Sequence, residues 1–245
     1  IPGRDWSSDV CSSDLSAGIM AGDSQEFSYH VKEGADLEIL SQSFEKIHKM
    51  DEGSASRTIE VQVDKNAALY YYPQPVIPFA QSAFDSKMTI HLEDETSKLF
   101  LLEIISCGRN AHEERFQYRR FSSKVLLYRG EKLIYRDNTR YEPGKMPMEG
   151  IGLYEGFTHM ANLFLSKLCD RGDADGLDRT SELKEKIWQI LDEDSEVDGG
   201  VTRLTTGDLA LRIFGHRAQK LQQIAEKIKE IYTSCQINHK SVMNE

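Results

Sequence analysis

Residues 25–137 alternate between apolar and polar side chains in runs too short for helices, with turn residues between the runs. A period of two belongs to a half-buried strand, because successive side chains leave a strand on opposite faces. Phe27, Tyr29 and Val31 share one face, and Leu37 and Ile39 follow Glu33-Gly34. Ile59, Val61 and Val63 follow Asp51-Glu52-Gly53. Asp64-Lys65-Asn66 turns the chain toward Leu69 and Tyr71, after which Met88, Ile90 and Leu92 alternate again. Residues 99–105 are almost continuously apolar, which predicts a strand buried on both faces. Residues 125–128 and 133–135 flank Arg129-Gly130-Glu131 and read as a hairpin. Many strands with short turns predict an all-β stack, sandwich or solenoid. No clean repeat is visible, so a regular parallel β-helix has no support from period.

The remainder of the chain reads differently. Residues 72–79 carry three prolines, which cannot donate to a ladder, so this segment is an edge or an ordered crossing loop. Residues 142–156, rich in Gly, Pro and Met, read as a connection, and 157–168 fit a strand or a helix equally. Residues 182–192 predict a helix with Thr180 or Ser181 as N-cap, and Gly199-Gly200 breaks it. Residues 201–214 read as two short strands around Thr206-Gly207-Asp208, and 216–233 as a closing helix with an apolar stripe. The stripe is core packing. This divides the chain into a β-rich body over 16–156, strands and helices completing the same domain over 157–235, and a tail over 236–245.

Residues 5–15 read DWSSDVCSSDL, which resembles the conceptual translation of a sequencing adapter. Residues 1–15, with Trp6 and Cys11, are therefore set aside from fold reasoning. The natural chain is expected to begin further upstream, and loss of its first strands would leave a sheet edge or groove exposed.

Several function classes are disfavoured. Of the 245 residues 39% are hydrophobic, enough for one sizeable core. No run approaches the roughly 20 apolar residues of a membrane-spanning helix. No secretory signal is visible, so the cytoplasm is the expected location. The net charge of -10 disfavours nucleic acid as a partner, and the one basic cluster, Arg115 with Arg119 and Arg120, also holds Glu113 and Glu114. The four cysteines, Cys11, Cys107, Cys169 and Cys235, form no CxxC pair, so neither a disulfide framework nor a structural zinc site is expected. The seven histidines form no HxH or HxxxH pair, and there is no GxSxG, phosphate-binding loop or HExxH.

Glu103 stands out because it interrupts the most apolar strand. An ionised carboxylate there is costly unless paired or facing water. Either a partner such as Arg109 or Lys46 holds it, or it lines an internal channel. Glu113 and Glu114 are adjacent and on a strand would point to opposite faces.

Five segments, in order, resemble the urease accessory protein D family, also called H. Residues 17–23, AGIMAGD, are similar to its glycine-rich PGGVLGGD, and Ser41-Gln42 followed by Lys46 is similar to TTQxxTK. Residues 73–79 resemble WxPxPxIxF, with Tyr71 or Tyr72 in place of tryptophan. EIISCGRNAHEERF over 103–116 resembles CLGRxAxGERF, and GVTRLTTGDLALRIFG over 200–215 resembles GVSRLPGGGLVVRVLG. Glu113 stands where the family has glycine, so an altered local turn is expected.

The resemblance implies a mainly β, right-handed superhelical, β-helix-like stack with a small C-terminal α/β element of about two helices. It implies no enzymatic activity and no tightly bound cofactor, only a transient nickel ion. The implied partners are accessory protein F, through it the GTPase accessory protein G, and apo-urease subunits. An internal water-filled passage is implied as the metal's route. Carried over position by position, Asp23, Glu103 and Glu114 are its candidate metal-facing carboxylates, and Ser41, Gln42 and Lys46 its candidate polar lining. Tyr72, Pro73, Pro75, Phe79 and Arg109 are candidate partner contacts, since prolines and aromatics bind with little entropy loss. A rival expectation is a β-solenoid carbohydrate-active hydrolase, which needs two carboxylates roughly 5–9.5 Å apart across a cleft.

Overall fold

A computed structural model describes residues 18–168 and 179–237. The 1–15 segment, Cys11, Cys169 and the tail beyond 237 lie outside the described residues. Three windings come first. They comprise β1 (Ser24–Val31), β2 (Asp36–Leu40) and β3 (Glu45–Ile47), then β4 (Ala55–Val63), β5 (Ala68–Tyr72) and β6 (Val76–Pro78), then β7 (Ala83–Leu92) and β8 (Lys98–Ser106). After them come β9 (Arg120–Arg129), β10 (Lys132–Tyr141), β11 (His159–Leu165), α1 (Arg179–Asp192), β12 (Val197–Arg203), β13 (Leu209–Gly215) and α2 (Ala218–Ile237).

Each winding gives one strand to the first of two sheets, and the first two windings give two strands and the third one strand to the second. The first sheet runs β1-β4-β7-β9-β10. Its first four strands are parallel, and β10 returns antiparallel through a hairpin at Gly130, as the alternation predicts. The second sheet runs β12-β13-β11-β8-β5-β2, with β3 on β6 and β6 on β8 beside this path. Here β2, β5 and β8 are parallel, while β11, β13 and β12 are antiparallel. Among the described residues neither sheet closes into a barrel. Ser24 lies beside Ser56, Ala55 beside Phe84 and Ala83 beside Arg120. The step along the chain changes from one winding to the next, which is why the sequence shows no fixed period.

Burial follows the alternation. Ile59, Val61 and Val63 of β4 point into the space between the sheets with Met88, Ile90 and Leu92 of β7. Strand β8 is buried on both sides, as its apolar run predicts. Phe100, Leu102 and Ile104 face the helices, while Leu99, Leu101 and Ile105 face the first sheet. The helices cover one side of the second sheet. Leu183, Ile187 and Leu191 of α1 and Leu221, Ile224 and Ile228 of α2 pack there against Leu163, Leu165 and Leu211. No described helix is long and apolar enough to cross a membrane.

Residues 157–168 contain a strand, β11, because Met160 and Phe164 must fill the space between the sheets while Ala161, Leu163 and Leu165 fill the helix side. Gly199-Gly200 does not end a helix; α1 stops at Asp192 and both glycines lie inside β12. A Cβ on Gly199 would fall 2.7 Å from the Arg212 carbonyl oxygen, so glycine permits the close pairing of β12 with β13. The proline segment holds β6, a three-residue strand between β3 and β8. Glu113 and Glu114 are not on a strand, since β8 ends at Ser106 and a short 3-10 turn, Asn110–His112, follows. Glu113 adopts φ 61°, the left-handed conformation that glycine takes freely and a larger residue adopts at some cost.

Candidate functional site

Register places polar residues in line across the inner face of the first sheet. Gln25 is paired with Arg57, Arg57 with Ser86, Ser86 with Ser123, and Ser123 with Thr139. Directly paired residues share a face, so these five form one row across five strands. The apolar residues beside them sort cleanly. Ile59, Met88 and Val125 belong to the core on one side of the row. Ala55, Phe84 and Phe121 belong to the core on the other. The second sheet supplies a facing row, in which Glu103 is paired with Asn162 and Asn162 with Arg212. A polar layer thus separates two apolar cores between the sheets.

That layer is hollow. A cavity of about 430 Å³ runs along it, touching Gln25, Arg57, Ser86, Ser123, Glu103 and Asn162. Its other wall is the 39–46 segment, with Pro73, Gln74 and Val76. A second cavity of about 10 Å³ lies behind Glu103 and Asn162 and reaches Asp137.

Two of the acids on the larger cavity have unlike environments. Glu45 is held by Arg57, whose Nη1 donates to Oε2 at 2.7 Å and whose Nη2 also bonds Oε1. Arg57 further donates from Nε to Gln25 Oε1 at 3.0 Å and lies over the Phe27 and Phe84 rings. Burial opposes the Arg57 charge, but the hydrogen-bonded Glu45 carboxylate more than offsets this and holds its pKa above the ordinary value. Among the described residues no cation is hydrogen-bonded to Glu103. Ser123 Oγ donates to its two oxygens at 3.1 and 3.3 Å. Burial pushes the Glu103 carboxyl up to about 7, with the Asp137 charge adding to the rise and Ser123 and Arg57 opposing it. Protein surrounds the group, yet the cavity reaches it, so part of its surface stays accessible.

From this wall a hydrogen-bonded path leads outward. Asn162 Nδ2 donates to Thr139 Oγ1 at 3.5 Å, and Thr139 Oγ1 donates to Asp137 Oδ2 at 2.9 Å. Arg212 Nε donates to Asn162 Oδ1 at 2.9 Å and Nη2 to Asp137 Oδ1 at 3.0 Å.

The residues singled out by sequence are distributed unevenly. Glu103, Ser41, Gln42 and Lys46 line the larger cavity, as does Pro73. Ser41 Oγ also accepts the Gln74 N–H at 2.7 Å, clasping two loops at the cavity wall. Asp23 is not among the lining residues; its Oδ2 accepts the Met20 N–H at 2.8 Å and fixes the turn before β1. Glu114 is not among them either. Arg109 donates to it from Nε at 2.8 Å and lowers its pKa, and it also accepts the Ala80 N–H. Neither Arg109 nor Lys46 is the partner of Glu103, whose hydrogen bonds come from Ser123. Tyr72 donates its hydroxyl to Glu226 on α2, the Pro75 carbonyl accepts from the Glu45 N–H, and Phe79 meets His48 edge to face and lies under Arg109.

Sequence reasoning did not find Arg57, Ser86, Ser123, Asn162, Asp137 or Arg212. Each breaks an apolar face at one position, which is a signal, but only the pairing register reveals that the breaks align. Among the described residues no group of three or more His, Cys, Asp or Glu is arranged to hold a metal ion. Among the described residues the layer offers dispersed oxygen and amide ligands with one carboxylate, Glu103, that is in no ion pair. It does not offer a hydrolase two free carboxylates facing each other, because Glu45 is tied to Arg57.

Comparisons with known proteins converge. The family model described as UreD urease accessory protein matches residues 7–244. The urease accessory protein UreH of Helicobacter pylori strain J99 is 34% identical over 219 residues, covering 89% of this chain and 78% of that protein. The urease accessory protein UreD of Acetivibrio thermocellus is 33% identical over 218 residues, covering 88% and 79%. The urease accessory protein UreD of Haemophilus influenzae strain PittGG is 28% identical over 228 residues, covering 89% and 81%.

Proposed function

The chain belongs to the UreD family of urease accessory proteins, and from that premise we propose that it serves urease maturation as a non-catalytic scaffold through which nickel ions pass toward the urease active site. In this reading accessory protein F binds the scaffold, the GTPase accessory protein G is recruited through F, and apo-urease receives the metal. The three windings form one right-handed superhelical stack. Parallel pairing of β1, β4, β7 and β9 supports this, since crossovers between parallel strands of one sheet are right-handed in roughly 98% of cases.

The polar layer carries the proposal. Nickel is a borderline cation accommodated by imidazole, carboxylate and water. A conduit needs weak ligands in series, so that the ion leaves as readily as it enters. Gln25, Ser86, Ser123 and Asn162 are neutral oxygen donors of that kind along one cavity. Glu103 adds a carboxylate to which no cation is hydrogen-bonded among the described residues, on a polar layer between two apolar cores. A carboxyl poised near neutrality binds a proton or a metal ion by exchange, because a divalent cation favours the charged form.

The test is co-purification with accessory proteins F and G and apo-urease, followed by urease activation. Glu103→Ala is expected to lower nickel content and activity of urease while leaving F binding intact. Full activation by that variant removes Glu103 from the route, and failure of the wild-type chain to bind F removes the scaffold role.

A further inference from the structure

At the β10 edge of the polar layer one side chain, Arg212, bridges Asp137 and Asn162. Arg212 sits third in the row Glu103, Asn162, Arg212, on three adjacent strands of the second sheet. Its side chain is 48% exposed, while that of Asp137, which it grips, is 15% exposed. The guanidinium joins two elements from different sheets, Asp137 on β10 and Asn162 on β11. Both of those residues line the smaller cavity, and Asn162 and Glu103 line both cavities. Half-exposed Arg212 thus touches Asp137 and Asn162, and these share the smaller cavity with Glu103, which also borders the larger one. The smaller cavity, at about 10 Å³, holds at most about one water. A hydrated divalent cation does not pass such a space until the groups around it move.

We propose that Arg212 is a latch on this passage: it ties Asp137 to Asn162 when no metal is present, and a divalent cation crossing between the cavity and solvent displaces it from Asp137. The inference rests on the transit reading above and names the element that regulates it. Charge makes the latch selective. The guanidinium repels a cation while seated and, once displaced, leaves the Asp137 carboxylate and the Asn162 amide oxygen as ligands facing Glu103. Exposure of the guanidinium makes it operable, because an ion pair with one partner half open to water contributes a factor of roughly five at most to the closed state. Arg57 presents the opposite case. It is bound to both Glu45 and Gln25 and its side chain is 13% exposed, so it is a fixed wall.

The experiment titrates the purified full chain with Ni²⁺ and follows paramagnetic broadening of the Asn162 side-chain amide and the Ser123 backbone amide by NMR. Arg212→Ala is expected to broaden Asn162 at about two- to fivefold lower Ni²⁺ than wild type. Arg212→Lys, which keeps the charge but loses the two-pronged bond, is expected to fall between them. Should Arg212→Ala fail to fold, Arg212→Gln replaces it with the same expected shift. Identical titrations of wild type and the neutral variants, with Glu103→Gln still abolishing broadening at Ser123, overturn the latch and leave the transit reading standing. No broadening between the sheets in any variant, with Ni²⁺ in excess, overturns both.

Discussion

The two faces of strand β8 are made by neighbouring residues of one segment, yet they build different interiors. Phe100, Leu102 and Ile104 meet the helices in a continuous apolar core. Leu101, Glu103 and Ile105 meet the first sheet, where two apolar cores are parted by a polar layer holding a cavity of about 430 Å³. On the helix side each side chain is surrounded by others, so its removal loses transfer energy and leaves a void. Between the sheets Gln25, Arg57, Ser86, Ser123 and Glu103 already border open space. The contrast separates what stabilises the molecule from what its passage requires.

Truncations test that separation most sharply. Leu163→Ala, on the helix side, is expected to cost about 2–5 kcal/mol in urea unfolding. A cost near zero would mean that the helix layer is no better packed than the polar one. The Glu103 carboxyl comes next. Its folded pKa of about 7 lies above the ordinary 4.5, so the folded state holds its proton more tightly. The associated stability is complete below pH 4.5 and is lost as pH rises through about 7. Glu103→Gln is therefore expected to gain about 1–3 kcal/mol on wild type between pH 4 and pH 8, with water in the cavity moderating the effect. Parallel urea melts of the two proteins at both pH values measure this.

Smaller effects sharpen the picture. Ser123→Ala removes the hydrogen bond that favours the Glu103 carboxylate. It is expected to move the midpoint of that pH dependence upward, with a stability change of about 1 kcal/mol or less. Glu113→Gly relieves a side chain held at φ 61° and is expected to stabilise by up to about 1 kcal/mol, since the larger chain entropy of glycine offsets part of the gain. A Tm that does not rise would show that the turn is not strained by its present residue.

Much of the scaffold is legible in the sequence because period-two alternation reports directly on which side of a strand is buried. Ile59, Val61 and Val63, the apolar run through residue 99 to 105, and the hairpin at Gly130 are read this way. The candidate site is less legible. Glu103 announces itself by its surroundings, but Ser86 or Asn162 alone is an ordinary polar residue. The row exists only once Arg57 is paired with Ser86, a partner far along the chain. Irregular steps between windings hide such pairings from any search for a repeat. The Gly199-Gly200 pair misleads for a related reason. Glycine signals a break when only local geometry is considered, whereas here the missing Cβ lets two strands approach.

The change from parallel to antiparallel pairing at β9 and β10 also carries a consequence for how the chain reaches its native state. Within the first sheet, β9 and β10 are the pair joined by a tight turn; every other contact there spans a whole winding. Hairpins close in microseconds, whereas distant parallel contacts must first overcome loop-closure entropy. Assembly is thus expected to begin at the hairpin, with β7, β4 and β1 each docking on the edge left by the strand before. Pulse-labelled hydrogen exchange would show β9 and β10 protected first and β1 last; simultaneous protection would mean the sheet forms in one step.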